Sequence, residues 1–238
     1  MKLKNIKFLI LPALAIMIFS CQKDAIIDGG VSDPKVNMTT YDYLKAHPKG
    51  LFDTLLLIVD KAQMKEAINS NGTFIVPTDY SVNSYISLRQ SQIRKIDERK
   101  DYTLDSLFKE FTPKMLKDSL SVYFFAQNIV REELDENGRE YQSSTSPYKF
   151  LVTLEEHGND DYNAGGIISN RPKFMWFNRI IGEKDVIEGG VLKDPSNDAD
   201  KLDSRNILQT SGIITNTGTV HVINNGHTWI RSLKLNLN

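Results

Sequence analysis

Apolar positions recur at helical spacing through the first half of the chain and at strand spacing through the second. Thr40 caps a short helix predicted from Tyr41 to Ala46, which Pro48-Lys49-Gly50 stops. Phe52, Leu55, Leu56, Val59 and Ala62 then make a one-sided stripe within Leu51 to Ile68, closed by the turn residues Asn71-Gly72. Leu104, Leu107, Phe108 and Phe111 repeat at the same spacing. Thr112-Pro113 starts a further helix whose stripe is Leu116, Leu120, Tyr123 and Phe124. All these stripes read as core.

Further on the period shortens. Phe150 to Leu154, Phe174 to Phe177, Gly212 to Thr215 and Thr219 to Ile223 are short β-branched or aromatic runs between Gly, Asn and Asp clusters. Leu233 to Asn238 alternates apolar and polar, as a half-buried terminal strand does. Helices first and strands later, without βαβ alternation, predict an α+β fold. No internal repeat is visible.

A different pattern occupies the beginning of the chain. Lys2, Lys4 and Lys7 precede an apolar run, Phe8 to Phe19, of about 12 residues. As a helix it spans roughly 18 Å, too short for a bilayer core of about 30 Å. This is the layout of a secretory leader. The run ends in Ile18-Phe19-Ser20-Cys21, which resembles the bacterial lipobox, and Cys21 is the only cysteine of the 238 residues. Residues 1–20 therefore read as a lipoprotein signal peptide and Cys21 as the lipid anchor. A plain secreted protein with one exposed, reactive thiol is the alternative. Gln22-Lys23-Asp24 resembles the tag that carries Bacteroidota-type lipoproteins to the outer face of the outer membrane, with periplasmic residence as the alternative. Residues 21–38, with Gly29-Gly30 and Pro34, read as a flexible tether. Residues 39–238 make the domain.

Two segments of that domain carry a family resemblance. Gly72 to Asp79, with Thr73, Phe74, Pro77, Thr78 and Asp79, resembles the first signature of fasciclin domains, a strand ending in Ala-Pro-Thr-Asp before a helix. Asn216 to Asn224, with Asn216, Gly218, His221 and Ile223, resembles the second. Taken alone, the residues describe a strand-to-helix corner: Phe74 to Val76 form a buried strand, Pro77 ends it, and Thr78 or Asp79 accepts the free N–H groups of a helix starting near Tyr80. The resemblance implies a single fasciclin-like domain, N-terminal helices packed on a C-terminal β-sheet wedge, with enlarged loops at Arg89 to Asp101, Arg131 to Pro147 and Gly182 to Asp203. It also implies that His221 is a core histidine bonded to the Pro77 corner. Tyr123-Phe124-Phe125 stands where the family has a Tyr-His motif associated with integrin binding; the histidine is missing, so that role is not carried over and Tyr123 reads as a core aromatic.

Charge and chemistry narrow the function. The chain holds 29 basic and 30 acidic residues; losing Lys2, Lys4 and Lys7 with the leader leaves about −4 at neutral pH, which provides no basic field for nucleic acid. With one cysteine, the fold relies on apolar burial rather than disulfides. Asp194, Ser196, Asp198 and Asp200 alternate like a calcium loop, but Ala199 and Arg205 replace the glycine and the bidentate glutamate such a loop needs. Gly158 to Asp161 is a poorer match. Glu132-Glu133 and Glu155-Glu156 are adjacent carboxylates that a strand would turn to opposite sides. Asp53-Thr54-Leu55, Asp105-Ser106-Leu107 and Asp118-Ser119-Leu120 resemble a short O-glycosylation acceptor motif. No nucleophile elbow, phosphate loop, zinc-helix motif or dinucleotide fingerprint is present.

The chain is accordingly expected to be no enzyme, to need no cofactor or metal, and to act as an outer-membrane, lipid-anchored, cell-surface binding or adhesion protein. Its expected partners are the membrane, through the lipid, and a surface protein, a glycan or an outer-membrane transporter. An accessory subunit of a nutrient importer is the alternative, and a glycan-degrading enzyme the third. Trp176, Trp229, Tyr148 and Tyr162, with Tyr141, are candidates to stack on sugar rings, core packing being the other reading for tryptophan. Two acyl chains suffice for stable anchoring, so Cys21→Ser is expected to move the protein from the membrane pellet to the soluble fraction after carbonate washing; a variant that stays in the pellet contradicts the lipid anchor.

Overall fold

The computed structural model describes residues 33–144, 147–156, 172–188 and 191–234. Cys21 and the leader, most of the expected tether, Tyr162 and Gly158 to Asp161 lie outside them. From Pro34 onward the chain forms one compact unit.

The helices follow their capping chemistry. α1 is Thr40–Lys45, and its cap is Thr39, whose hydroxyl accepts from Asp42 N at 3.1 Å. Thr40, expected as the cap, is buried one residue further in, its hydroxyl 2.9 Å from that of Thr215. The expected Leu51 to Ile68 helix is two helices, α2 Asp53–Lys61 and α3 Lys65–Ile68, parted at Gln63, whose φ of 55° no helix continues. β1 (Thr73–Val76) leads into α4 (Asp79–Arg94). α5 (Leu104–Glu110) starts on a Thr103–Ser106 capping box, and α6 (Pro113–Ser121) on Thr112, which accepts from Met115 N at 3.3 Å. Among the described residues no helix is long and apolar enough to cross a membrane.

The remaining strands are β2 Phe124–Phe125, β3 Arg139–Gln142, β4 Lys149–Glu156, β5 Lys173–Arg179, β6 Val186–Glu188, β7 Val191–Lys193, β8 Ser204–Thr215 and β9 Gly218–Ile223. Among the described residues β6 and β7 pair only with each other; the others form one seven-stranded sheet in the order β2-β1-β9-β8-β5-β4-β3. The expected α+β arrangement, N-terminal helices packed on a separate C-terminal wedge in a fasciclin-like domain, is overturned by this topology. β1 and β2, from the helical half, are built into the sheet, and β1 runs parallel to β9 with Ile75 opposite His221. Ser144, just past edge strand β3, donates to Phe124 O of the other edge strand at 2.8 Å, so the mixed sheet nearly closes. The order of elements along the chain carried no information about which strands pair.

Both ends of the domain also differ from expectation. Pro34 to Met38, the last residues of the expected tether, run beside the end of β8: Val36 N donates to Ile214 O and Ile214 N to Pro34 O, both at 2.8 Å. The expected terminal strand begins instead with a 3₁₀ turn, Arg231–Leu233, because Ile230 and Lys234 at φ 51° and 49° leave the extended region; residues 235–238 lie outside the described chain.

The core sits between sheet and helices. Phe150 and Phe177 stack at 4.4 Å with Phe125 edge-on to both, and α2 adds Leu55, Ile58 and Val59, all fully buried. Each such side chain contributes about 1.5–3 kcal/mol on burial.

Parallel insertion of β1 requires close backbone approach at Gly72 and Gly218. Thr219 N donates to Gly72 O at 2.8 Å, and a Cβ on Gly218 would stand 2.5 Å from that same oxygen. Neither backbone can yield without breaking the pairing. Gly218→Ala is therefore expected to destabilise the fold by on the order of 3 kcal/mol in urea titrations, whereas Gly212→Ala, where a Cβ meets no atom within 4 Å, bears only the backbone cost of its positive φ, about 1 kcal/mol.

Candidate functional site: a polar cavity on the outer face of the sheet

Strand alternation makes the site. On β4, β5 and β8 one set of residues faces the core, including Phe150, Val152, Met175, Phe177 and Leu208. The other set forms cross-strand rows on the outer face: Leu151 beside Asn178 beside Arg205, Thr153 beside Trp176 beside Ile207, and Glu155 beside Phe174. Over this face lies a cavity of about 540 Å³ whose walls include Glu155, Glu156, Asn178, Asp185, Asp203 and Arg205, with Lys173 and Lys184 at its margin.

Its polar groups are partly spent on one another. The Arg205 guanidinium pairs with Glu155 and stacks over Trp176 at 4.6 Å, while the Thr153 hydroxyl donates to Glu155 Oε1 at 2.5 Å. Asp203 Oδ1 accepts from Ile181 N at 2.8 Å and its Oδ2 from Asp185 N at 2.9 Å; Asp203 N returns a bond to Asp185 Oδ2 at 2.7 Å. Burial holds the Asp203 carboxyl above the usual carboxylate range, against the opposing pull of those N–H bonds. Asn178 donates to Thr153 at 3.2 Å. Two acceptors remain: Asn178 Oδ1 and Asp185 Oδ1 are buried and have no partner among the described residues. An idle buried acceptor costs about 1–3 kcal/mol.

Glu155 and Glu156, expected to be kept apart by strand alternation, both line this cavity at the end of β4. Glu133 pairs elsewhere, with Arg139 at 3.1 Å. Of the stacking candidates, Trp229 is corrected: it is fully buried, edge-on to Tyr85 at 5.5 Å and 5.8 Å from Phe111, and offers no face to a ligand. Tyr141 is buried too. Trp176 and Tyr148 are half-buried, and each carries a guanidinium on its ring, from Arg205 and Arg179 respectively. In the calcium-like loop, Asp194 accepts from Ser196 N at 2.9 Å, from the Ser196 hydroxyl and from Asp198 N at 3.2 Å, so its carboxylate holds its own turn; the Ser196 hydroxyl is the main cause of its lowered pKa. Among the described residues no three His, Cys, Asp or Glu side chains converge as a metal cage. Ser119 is buried and donates to Met115 O, which removes it as a glycan acceptor.

The signature residues lie on and beside β1 and β9 rather than in the cavity. Thr73 accepts from Ile129 N at 2.8 Å and donates to Gln127 O at 3.0 Å. Phe74, Pro77 and Ile223 are buried, and Asn216 donates to Asn37 at 2.8 Å. Thr78 and Asp79 do not cap their own helix. The Thr78 hydroxyl donates to Asn225 Oδ1 at 3.0 Å, and the Asp79 carboxylate accepts from Thr54 N and Leu55 N, at 2.9 and 2.8 Å, capping α2 instead. His221 does not bond to the Pro77 corner. The parallel register sets it beside Ile75, where its Nδ1 accepts from Gly212 N at 3.0 Å and its Nε2 donates to Ile129 O at 2.9 Å.

A second buried histidine, which no sequence pattern marks, supplies the other half of the polar core. Ile230 N donates to the Tyr123 hydroxyl at 2.8 Å, that hydroxyl donates to His227 Nε2 at 2.9 Å, and His227 Nδ1 donates to Asn206 Oδ1 at 2.7 Å.

No protein-family model matches the chain. Over 137 residues it is 27% identical to GTPase Obg of Malacoplasma penetrans (strain HF-2), a match that takes in 54% of this chain and 30% of that protein. The chain thus spans under a third of the length of this relative. The likeness overturns the expectation that the chain is no enzyme, which rested solely on the absence of short motifs.

Both imidazoles are neutral in the fold: burial pushes His221 down to about 4 and His227 to about 3. Between pH 6.5 and 4 the unfolded chain takes up protons that the folded chain refuses. Stability is therefore full above about pH 6.5 and falls as pH drops. Asp79 and Asp203, held up by burial, work in the opposite sense at the acid end. Urea titrations at pH 7.5 and 5 are expected to differ by about 4 kcal/mol, and by about half that in His227→Gln; equal stability at the two pH values contradicts the neutral pair.

Proposed function

We propose that this chain is an envelope binding protein, lipid-linked through Cys21 in the outer membrane and turned to the cell surface, whose cavity takes a hydroxyl-rich glycan. One observation carries the reading: Asn178 Oδ1 and Asp185 Oδ1 stand buried and unpartnered in the same cavity wall. Sugar hydroxyls donate to such oxygens, and Arg205, Lys173 and Lys184 supply donors for ring and glycosidic oxygens. The resemblance of Gly72 to Asp79 and Asn216 to Asn224 to fasciclin signatures supports a role in binding at surfaces.

The likeness to GTPase Obg favours a second reading, nucleotide turnover. The sequence holds no Gly-x₄-Gly-Lys-Ser/Thr phosphate loop, and the cavity's carboxylates oppose a triphosphate; phosphate release from GTP by the purified chain tests this reading directly.

For the first reading, the detergent-solubilised full chain is expected to bind neutral glycans on an array. Asn178→Leu removes one idle acceptor, so it is expected to weaken that binding by about tenfold or more while changing stability by less than about 1 kcal/mol. Unchanged glycan binding in this variant, or none in the parent, contradicts the reading.

A further inference from the structure

A second cavity, of about 420 Å³, lies across the molecule's helical side, between α4, the α5–α6 corner and the turn at Ile230. Its walls combine an apolar part, Tyr85, Leu88, Phe111, Met115 and Ile230, with polar and charged groups. The charged groups beside them are unequally spent. Glu110 is taken up by Arg89 Nη2 at 2.8 Å and by the Tyr102 hydroxyl at 2.5 Å, and Asp118 by Lys114 at 2.7 Å. Both carboxylates that line the cavity are thus already paired within the protein.

The two cations differ: Arg89 is paired with Glu110, and Arg231 is not. Arg89 gives Nη1 to Gln92 and Nη2 to Glu110, but its Nε is buried without a partner among the described residues. The exposed Arg231 guanidinium has no ion-pair partner among the described residues. Its position is set by the backbone: Ile230, a β-branched residue held at φ 51°, donates its N–H to the buried Tyr123 hydroxyl and turns the chain so that Ile230 and Arg231 both border the cavity. A β-branched residue in this conformation is costly, and the buried bond to Tyr123 holds it there.

We propose that this cavity is a site for a small amphipathic carboxylate, an aryl or alkyl body of a few carbons bearing one carboxylate. The body fills the apolar walls, and the carboxylate accepts from Arg231 and from the idle Nε–H of Arg89. A phosphate has no use for Phe111, Met115 and Ile230, and a neutral alcohol leaves the Arg231 charge unanswered. The site is separate from the polar cavity over β4, β5 and β8, and its test does not depend on what binds there.

The purified full chain is titrated with 4-phenylbutyrate and, separately, with 4-phenylbutanol by calorimetry, with the indole N–H resonance of Trp229 followed in parallel. Trp229 packs against Tyr85 and Phe111 of the wall, so an occupied cavity shifts it. The acid is expected to bind saturably and move that resonance. Arg231→Gln, an exposed change, is expected to weaken the acid about tenfold or more and leave the alcohol unaffected. Met115→Glu, at a position 38% exposed, places a like charge in the wall and is expected to abolish acid binding in a chain that still folds. Equal affinity for acid and alcohol, equal affinity of the parent and Arg231→Gln for the acid, or no saturable shift of Trp229 overturns the proposal.

Discussion

The approach of Gly72 to Gly218 is the contact on which the rest of the structure depends. Without a Cβ on Gly218 the start of β1 comes within hydrogen-bonding reach of β9, and Thr219 N closes onto Gly72 O, while Gly72, also without a Cβ, leaves room for Phe125 O of β2. That single register fixes β1 as a parallel strand beside β9 and carries β2, α4 and the caps of α2 with it. A parallel pair needs a long connection, and here nearly the whole domain is that connection. The sheet can then nearly close, since its two edge strands, β2 and β3, are consecutive along the chain and Ser144 N reaches Phe124 O.

Once the sheet is set, β8 serves two chemistries through its two faces. Ser204, Asn206 and Leu208 are buried, and Asn206 anchors the Tyr123–His227 chain that also holds the Ile230 turn. Arg205 and Ile207, on the opposite face, belong to the cross-strand rows under the polar cavity. The inner polar network is fully partnered at Tyr123, His227 and His221, whereas the outer wall keeps two acceptors idle. Most buried polar groups that serve a fold find partners, as these three do.

The local elements were legible in the sequence because they depend on near neighbours. Thr112-Pro113 and the Leu116, Leu120 stripe mark α6, and Pro77 ends β1 as a residue lacking an N–H must. The α2–α3 break was hidden, because the Leu51 to Ile68 stripe is continuous and Gln63 gives no hint of a positive φ. The destinations of Thr78, Asp79 and His221 were equally hidden, since each bonds a group far away in sequence, and local reasoning assigned them the nearest helix or corner. The outer-face cavity combines Glu155, Asn178, Asp185 and Arg205 from separate strands and a loop, and only the β4–β5–β8 register brings them together. Trp229 was misread for the related reason that a tryptophan near the end of a chain carries no sign of burial.

The most direct test of this account is an atomic-resolution crystal structure of the chain soaked in a neutral oligosaccharide. Sugar hydroxyls within about 2.7–3.0 Å of both Asn178 Oδ1 and Asp185 Oδ1 are the predicted result. A soaked structure in which those two oxygens pair with the protein's own donors, and the sugar lies elsewhere or nowhere, contradicts it.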